Sequence, residues 1–457
     1  MERDLTQGSI RRGLIRFSLP LMAGNLLQQL YNFVDTYVVG RFLGRTALAA
    51  VGSAFSLMVL LTSVILGLCM GAGVVMSQLY GQGDREGFRR AAGNAFIMIA
   101  AVSAAIELAA YALEPVILRL LRVPAEAVPD LTAYLRVIFA GLMCTFLYNC
   151  IASILRAAGN SAAAVWFLLM STVVNIALDL LFVPVLGLGT AGAAWATVIA
   201  QGLSALGIVM YFLRKAPSLV PSRRHFQPDR NLLGRIASVS VLTSVQQSVM
   251  NFGILMIQSL VNSFGVPVMA AFTAGVKIDS LAYSPAQDFG NGFATFAAQN
   301  AGAGKKDRVR RGFREACVLS LTYCAAVSAL VALLARPLLC LFIDPAETEV
   351  IQIGMHYLRT EGLCYVGIGL LFLLYAAYRG LEKAGMSVVL TVISLGLRVA
   401  LAYALAPAWG LDAIWWAIPI GWAVADAVGL ARLPRAFSGD PPARSAGPRP
   451  QKGAYQP

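Results

Sequence analysis

Long apolar runs separated by short polar segments repeat twelve times along this chain, at 14 to 39, 47 to 78, 91 to 113, 130 to 155, 162 to 184, 190 to 213, 236 to 262, 270 to 300, 315 to 340, 350 to 378, 386 to 406 and 411 to 431. A helix needs ~20 apolar residues to cross the hydrocarbon of a bilayer. Because no water is present there to bond the backbone, runs of this length are expected as α-helices. The predicted fold class is therefore an all-α integral membrane protein of twelve transmembrane helices.

The polar residues inside these runs are patterned. In the first run Asn25, Gln28, Gln29, Asn32, Asp35 and Thr36 recur at spacings of three and four, which puts them on one stripe of a helix. In the fifth run Asn175 and Asp179 are four apart, stacked on one face. The sixth adds Thr197, Gln201 and Ser204 at helical spacing. Counted from the outer ends of their runs, Asp35, Asp179 and Thr197 each lie ~7 to 10 Å deep at 1.5 Å per residue. A charge at the bilayer centre costs ~2.5 to 3.5 kcal/mol or more, so two carboxylates at one depth need an explanation. Two readings stand: a site that takes up a proton or a sodium ion, with Asp35, Asn175, Asp179 and Thr197 as its members, or polar contacts that bond neighbouring helices.

The chain also repeats itself. "GAGVVMSQLYGQGDREGFRR" (71 to 90) matches "GFATFAAQNAGAGKKDRVRR" (292 to 311), pairing Gln78 with Gln299, Gly81 with Gly302 and Gly83 with Gly304. "AAGNS" (157 to 161) matches "KAGMS" (383 to 387). Between the halves lies "RKAPSLVPSRRHFQPDR" (214 to 230), polar, basic and proline-containing, which reads as a linker. Six runs return the chain to its starting side, so the repeat is parallel, with a pseudo-two-fold axis along the membrane normal. The expected organisation is an N-terminal six-helix lobe (1–213), a linker (214–235), a C-terminal six-helix lobe (236–431) and a disordered tail (432–457). Polar residues facing the cleft between the lobes, Gln28, Asn32, Gln201, Gln246 and Asn251, are expected to line a substrate cavity. Pro20, within the first run, is a candidate helix bend.

Composition supports the membrane reading: 58% of the 457 residues are hydrophobic and 13% are charged, with a mean hydropathy of +0.70. The net charge of +13 does not imply nucleic acid. Of the residues that would lie in the outer loops, only Arg41, Arg45, Arg119, Arg122 and Arg336 are basic, while most other Lys and Arg fall in loops on the N-terminal side. That is the positive-inside pattern, with both termini cytoplasmic and a plasma-membrane location expected; the basic surplus faces anionic lipid. No cleavable signal is expected, since the first apolar run is too long for a signal core. All seven cysteines lie within runs and lack metal-type spacing, so no disulfide framework or zinc site is expected.

Other features carry less. "GQGD" (81 to 84) has the pattern of intramembrane aspartyl proteases, but a charged loop follows it and its repeat partner reads "GAGK"; a tight turn suffices. The second half has Gln246, Gln247, Asn251 and Gln258 in its first run and no acid there, and its charges Lys277, Asp279, Asp288, Glu361, Arg398 and Asp426 look scattered. Asp288 and Glu361 have no assigned role.

These residues together resemble the multidrug and toxic compound extrusion (MATE) family over nearly the whole chain, from "GSIRRGLIRFSLPLMAGNLLQQLYNFVDTYVVGRFLG" through both Q-x-x-G-x-G loops to "RVALAYALAPAWGLDAIWWA". The resemblance implies a two-lobed, twelve-helix antiporter that expels cationic or amphipathic compounds against inflowing protons or sodium ions. By position, Asp35 matches the family's acid in span one, Asn175 and Asp179 its N-x-x-L-D-P pattern in span five, and Thr197 a hydroxyl position in span six. Leu180 stands where that pattern has proline, and the acids of the sodium-coupled branch are missing from spans seven and ten, where Tyr375, Tyr378 and Arg379 stand. The expectation is a non-enzymatic antiporter without cofactor, coupled in its N-terminal lobe to protons ahead of sodium. It is expected to be a monomer, with small amphipathic or cationic substrates and membrane lipid as partners. The alternatives are a lipid-linked oligosaccharide flippase of a related two-lobed fold, whose pyrophosphate would call on Arg136, Lys277, Arg359 and Arg398, and more remotely an intramembrane aspartyl protease using Asp35 and Asp179.

Overall fold

A computed structural model describes residues 4–121 and 125–438. Its helices are α1 (Ile10–Phe42), α2 (Gly44–Gly81), α3 (Arg85–Ala112), α4 (Glu114–Leu121), α5 (Val128–Ala140), α6 (Leu142–Ala157), α7 (Ala162–Leu180), α8 (Gly189–Lys215), α9 (Arg230–Asn262), α10 (Val266–Gly302), α11 (Lys306–Leu339), α12 (Thr348–Gly362), α13 (Tyr365–Gly380), α14 (Ala384–Trp409) and α15 (Leu411–Ser438). Each of the twelve apolar runs is found as helix, making two six-span bundles. The fourth and tenth runs are broken rather than straight: α5 and α6 meet at 40°, α12 and α13 at 49°. Among the described residues eight helices, or ten counting the bent pairs as single spans, are long and apolar enough to cross a membrane by length and composition alone. Helices α1 and α10, with 33 and 37 residues, are as long, but α1 carries the polar stripe and α10 carries the charges Lys277, Asp279 and Asp288.

Several boundaries differ from those expected. Helix α9 begins at Arg230, inside the expected 214–235 linker, because Asp229 caps it by accepting from the N–H groups of Asn231 and Leu232. Helix α15 runs on to Ser438, so residues 432–438 of the expected disordered tail are helical; residues 439–457 lie outside the described residues. Helix α1 runs through Pro20 as one α-helix. In the "AAGNS"/"KAGMS" region the left-handed residue after α6 is Gly159 (φ 83°) and the one after α13 is Glu382 (φ 57°). The structural repeat therefore pairs Gly159 with Glu382, three places from the sequence match with Gly385.

The lobes also interpenetrate at their edges. Leu5, Leu14 and Phe17, from the start of the chain, belong to the buried core of the C-terminal lobe, whereas Ile236 and Val239, from the start of α9, belong to that of the N-terminal lobe. Side chains at the start of the chain and at the start of α9 thus pack across the boundary between the expected domains. In lipid there is little hydrophobic drive between helices, so close approach and hydrogen bonds hold them. Helices α2 and α9 show how. Gly67 lies against the backbone of Ser244 and Gly71 against that of Ser240, while the two serine hydroxyls donate to the Val64 and Leu68 carbonyls at 2.9 and 3.0 Å.

At the end of the bundle that carries the linker, the repeated loops meet. A Cβ on Gly81 would collide with the carbonyl of Gln299, and one on Gly302 with that of Gln78, so only glycine permits this contact between the lobes. Asp84 of "GQGD" caps α3, accepting from Gly87 N–H at 2.7 Å, and in the repeat partner Lys305 donates to the Thr6 carbonyl at 2.9 Å.

Candidate functional site

Asp35 is 8% exposed, and Asp179, Asn175 and Thr197 are 0%, 1% and 7% exposed. They form one pocket within the N-terminal lobe, between α1, α7 and α8. With its amide nitrogen turned towards Asp179, Asn175 donates to Oδ2 at 3.0 Å and accepts from the Thr197 N–H at 3.2 Å; the reverse orientation would set its oxygen against the carboxylate. The Thr197 hydroxyl donates to the Ala193 carbonyl at 3.1 Å, so in the 3.1 Å contact between Tyr31 and Thr197 the tyrosine is the donor. Asp35 and Asp179 lie within electrostatic reach of each other, with Tyr31 and Tyr134 beside them. One oxygen of each carboxylate, Oδ1 in both, has no hydrogen-bond partner. Just past Asp179 the helix loosens into a π-turn over Leu181–Val185. Pro184 lacks the N–H an α-helix would use there, and the Leu186 N–H reaches back to the Leu181 carbonyl instead. The turn is thus driven by a proline four residues beyond Leu180, the position where the family pattern has its own.

A separate cavity of about 440 Å³ opens between the lobes. Of the five expected lining residues, Gln28 and Gln201 are on its wall, and Asn32, Gln246 and Asn251 are not. Gln247, one residue and ~100° around the helix from Gln246, takes the place expected of it, while Gln246 is buried at 2% exposure. The backbone carbonyl of Asn32 accepts from the Thr36 hydroxyl.

Cavity and pocket share three helices. Ser171 on α7 and Gln201 on α8 line the cavity, each one turn from a pocket residue, Asn175 and Thr197. On α1 the cavity residue Gln28 is two turns from Asp35, ~10 Å at 1.5 Å per residue. The carboxylate pocket therefore sits beside the cavity, displaced from the linker end.

Sequence reading missed two groupings. The first is an acidic cluster in the C-terminal lobe, where Asp279 on α10 accepts from Tyr357 at 2.5 Å and also from Tyr365. It shares a small cavity with Glu361 and Arg398. The charges that looked scattered are thus partly gathered. Lys277 does not pair with Asp279; two residues apart, they point to different faces, and Lys277 lies over the Phe342 ring at 5.9 Å. The second is the set Arg156, Asp288 and Arg379 on the central cavity wall. No single-sequence periodicity finds either, because their members come from helices far apart in the chain. Of the basic residues considered for a flippase, Arg136 is paired with Glu114 at 3.0 Å and Arg398 lies in the C-terminal cluster. Among the described residues no three His, Cys, Asp or Glu are grouped to hold a metal ion.

The geometry is that of known transporters. A MOP-superfamily transporter from Pyrococcus furiosus superposes with a TM-score of 0.90 at 26% identity, covering 95% of this chain and 97% of that one. The probable multidrug resistance protein YpnP of Bacillus subtilis is 30% identical over 391 residues, 86% of this chain and 87% of that protein. The probable multidrug resistance protein NorM of Thermotoga maritima is 25% identical over 393 residues, 84% and 83% of the two chains. The MatE family model matches residues 20–181 and 241–404, one block in each lobe, and with both halves matched this chain belongs to the MatE family of membrane transporters.

Proposed function

We propose that this protein is a cation-coupled antiporter that exports small amphipathic compounds, as the names of its multidrug-resistance relatives suggest. The observation that carries this reading is the sharing of α1, α7 and α8 between the carboxylate pocket and the central cavity. A cation entering the pocket from outside neutralises one of the two negative charges of Asp35 and Asp179, which relaxes the packing of three helices whose neighbouring turns form the cavity wall. Substrate is thereby displaced outward. The lobes then rock, the cation leaves to the cytoplasm, and new substrate enters. The membrane potential contributes about 2.3 kcal/mol per charge per 100 mV to such a cycle.

A proton suits the pocket better than sodium. Sodium, a hard cation, calls for several oxygen ligands, as other hard cations do, whereas Asn175 turns its N–H towards Asp179 and its oxygen towards the Thr197 N–H. Dye export from vesicles under an imposed proton gradient or an imposed sodium gradient, one at a time, tests both points. Asp35→Asn should abolish gradient-driven export while the purified protein remains folded; full export by that variant would overturn the reading.

A further inference from the structure

Two arginines face the central cavity, one from each lobe, Arg379 buried and Arg156 half-buried. Arg156 stands in the last turn of α6 and Arg379 in the last turn of α13. The two are structurally equivalent, each three residues ahead of a left-handed residue, Gly159 or Glu382. Pseudo-symmetry therefore gives the two residues equivalent backbone positions in the two lobes. Arg379 is 4% exposed and donates to a neutral partner, the Asn291 Oδ1, at 2.7 Å. Asp288 lies within electrostatic reach of Arg156, but among the described residues neither arginine forms an ion pair. One Oδ of Asp288 has no partner either. The remaining polar wall is made of neutral groups, among them Asn25, Gln28, Gln201 and Gln247.

A cavity whose charged wall holds two arginines and one aspartate has an excess of one positive charge. Leaving a buried guanidinium without an anion is costly. The planar fork of arginine matches carboxylate and phosphate oxygens. The rest of the wall includes Leu21, Leu66, Met70, Val74, Val165 and Leu168, which accept an apolar body, and about 440 Å³ is within the range of small-molecule sites. We propose that the cavity binds a monoanionic amphiphile, an organic carboxylate, sulfonate or phosphate monoester, with its acidic group held by Arg156 and Arg379 and a second negative charge rejected by Asp288. This rests on the export reading in making the bound molecule the exported one; the binding preference itself does not depend on coupling.

The test is equilibrium binding to the purified full chain in phosphatidylcholine nanodiscs, with a dansylated long-chain carboxylic acid, its methyl ester and the matching quaternary ammonium compound as probes. The acid is expected to bind at least ten-fold more tightly than either analogue, a difference of 1.4 kcal/mol. Arg379→Gln and Arg156→Gln should each erase that preference while leaving ester affinity in place, and Asp288→Asn should tighten binding of the acid. Equal binding of acid and ester, or tighter binding of the ammonium compound, by the unmodified protein would overturn the proposal whatever the variants do. Adding phosphatidylglycerol distinguishes the source of the anion: displacement of the probe assigns the site to a lipid headgroup, unchanged affinity to a free acid. If the acid preference holds but no gradient drives its release from vesicles, export fails as a reading and the anion site stands. If gradient-driven dye export persists without acid preference, the reverse is true.

Discussion

Gln78 and Gln299 hold equivalent places in the two halves and reach across the interface in opposite directions. Gln78 donates to the Gly380 carbonyl at 3.1 Å, and Gln299 to the Ala157 carbonyl at 2.8 Å. Each accepts in turn from near the start of a half: Gln78 from Arg235 in the second turn of α9 at 2.7 Å, Gln299 from the Leu5 N–H at 3.0 Å. The acceptor carbonyls belong to the residues directly after Arg379 and Arg156. The contact at the linker end is thus one residue along the chain from each cavity arginine, and parting the lobes there would break both glutamine bonds.

Adding a methyl group at the closest approach should hold this end open. In Gly81→Ala and Gly302→Ala the new Cβ meets the backbone carbonyl of the opposite lobe, which cannot move as a side-chain tip would. Overpacking of this kind costs about 1 to 3 kcal/mol, enough to shift a two-state balance by roughly ten-fold. Spin labels at the exposed positions Arg85 and Lys306 should report a longer distance in either variant. An unchanged distance distribution would rule out the contact as the gate.

The tyrosine that bonds Thr197 should tune the carboxylate pocket without defining it. Tyr31→Phe removes one neutral hydrogen bond, worth about 1 kcal/mol, so gradient-driven export should fall about five-fold, far less than in Asp35→Asn. Loss as complete as that of Asp35→Asn would mean that the tyrosine itself carries the cation.

In the C-terminal lobe, Tyr357 and Tyr365 both donate to Asp279. Each Tyr→Phe change leaves a buried carboxylate short of a donor, at a cost of about 1 to 3 kcal/mol. Thermal unfolding in detergent should show a lower Tm for each variant and a double variant that departs from the sum, because the hydroxyls share one acceptor. Unaltered Tm values would show that the cluster contributes nothing to stability.

The linker is pinned by a histidine that is 1% exposed. His225 Nδ1 accepts from the Ser222 N–H at 2.8 Å, which leaves Nε2 to donate to Glu86 at 2.9 Å, and its carbonyl accepts from Asn94 at 3.2 Å. His225→Ala should free residues 216–229 and speed tryptic cleavage at Arg223 and Arg224 by several-fold, as local opening becomes less costly. Identical cleavage rates in the two proteins would refute that role.

Hydropathy alone located all twelve helical runs, because in lipid a long apolar segment has one way to satisfy its backbone. The i, i+4 spacing put Asn175 with Asp179, and the repeated Q-x-x-G-x-G loops marked Gly81 and Gly302 before their contact was visible. Neighbours along one helix are fixed by 3.6 residues per turn, and so are legible in the chain. What lies across an interface is not. That Gln247 rather than Gln246 faces the cavity depends on the rotation of α9, set by the packing of Ser240 and Ser244 on the glycines of α2. That Arg156 and Arg379 share a cavity wall, or that Asp279 finds tyrosines 78 and 86 residues away, depends on how separate helices pack. Each helix and the composition of its faces follow from the order of residues; only tertiary structure decided which faces meet, because contacts between helices are chosen by shape and hydrogen bonding among distant segments.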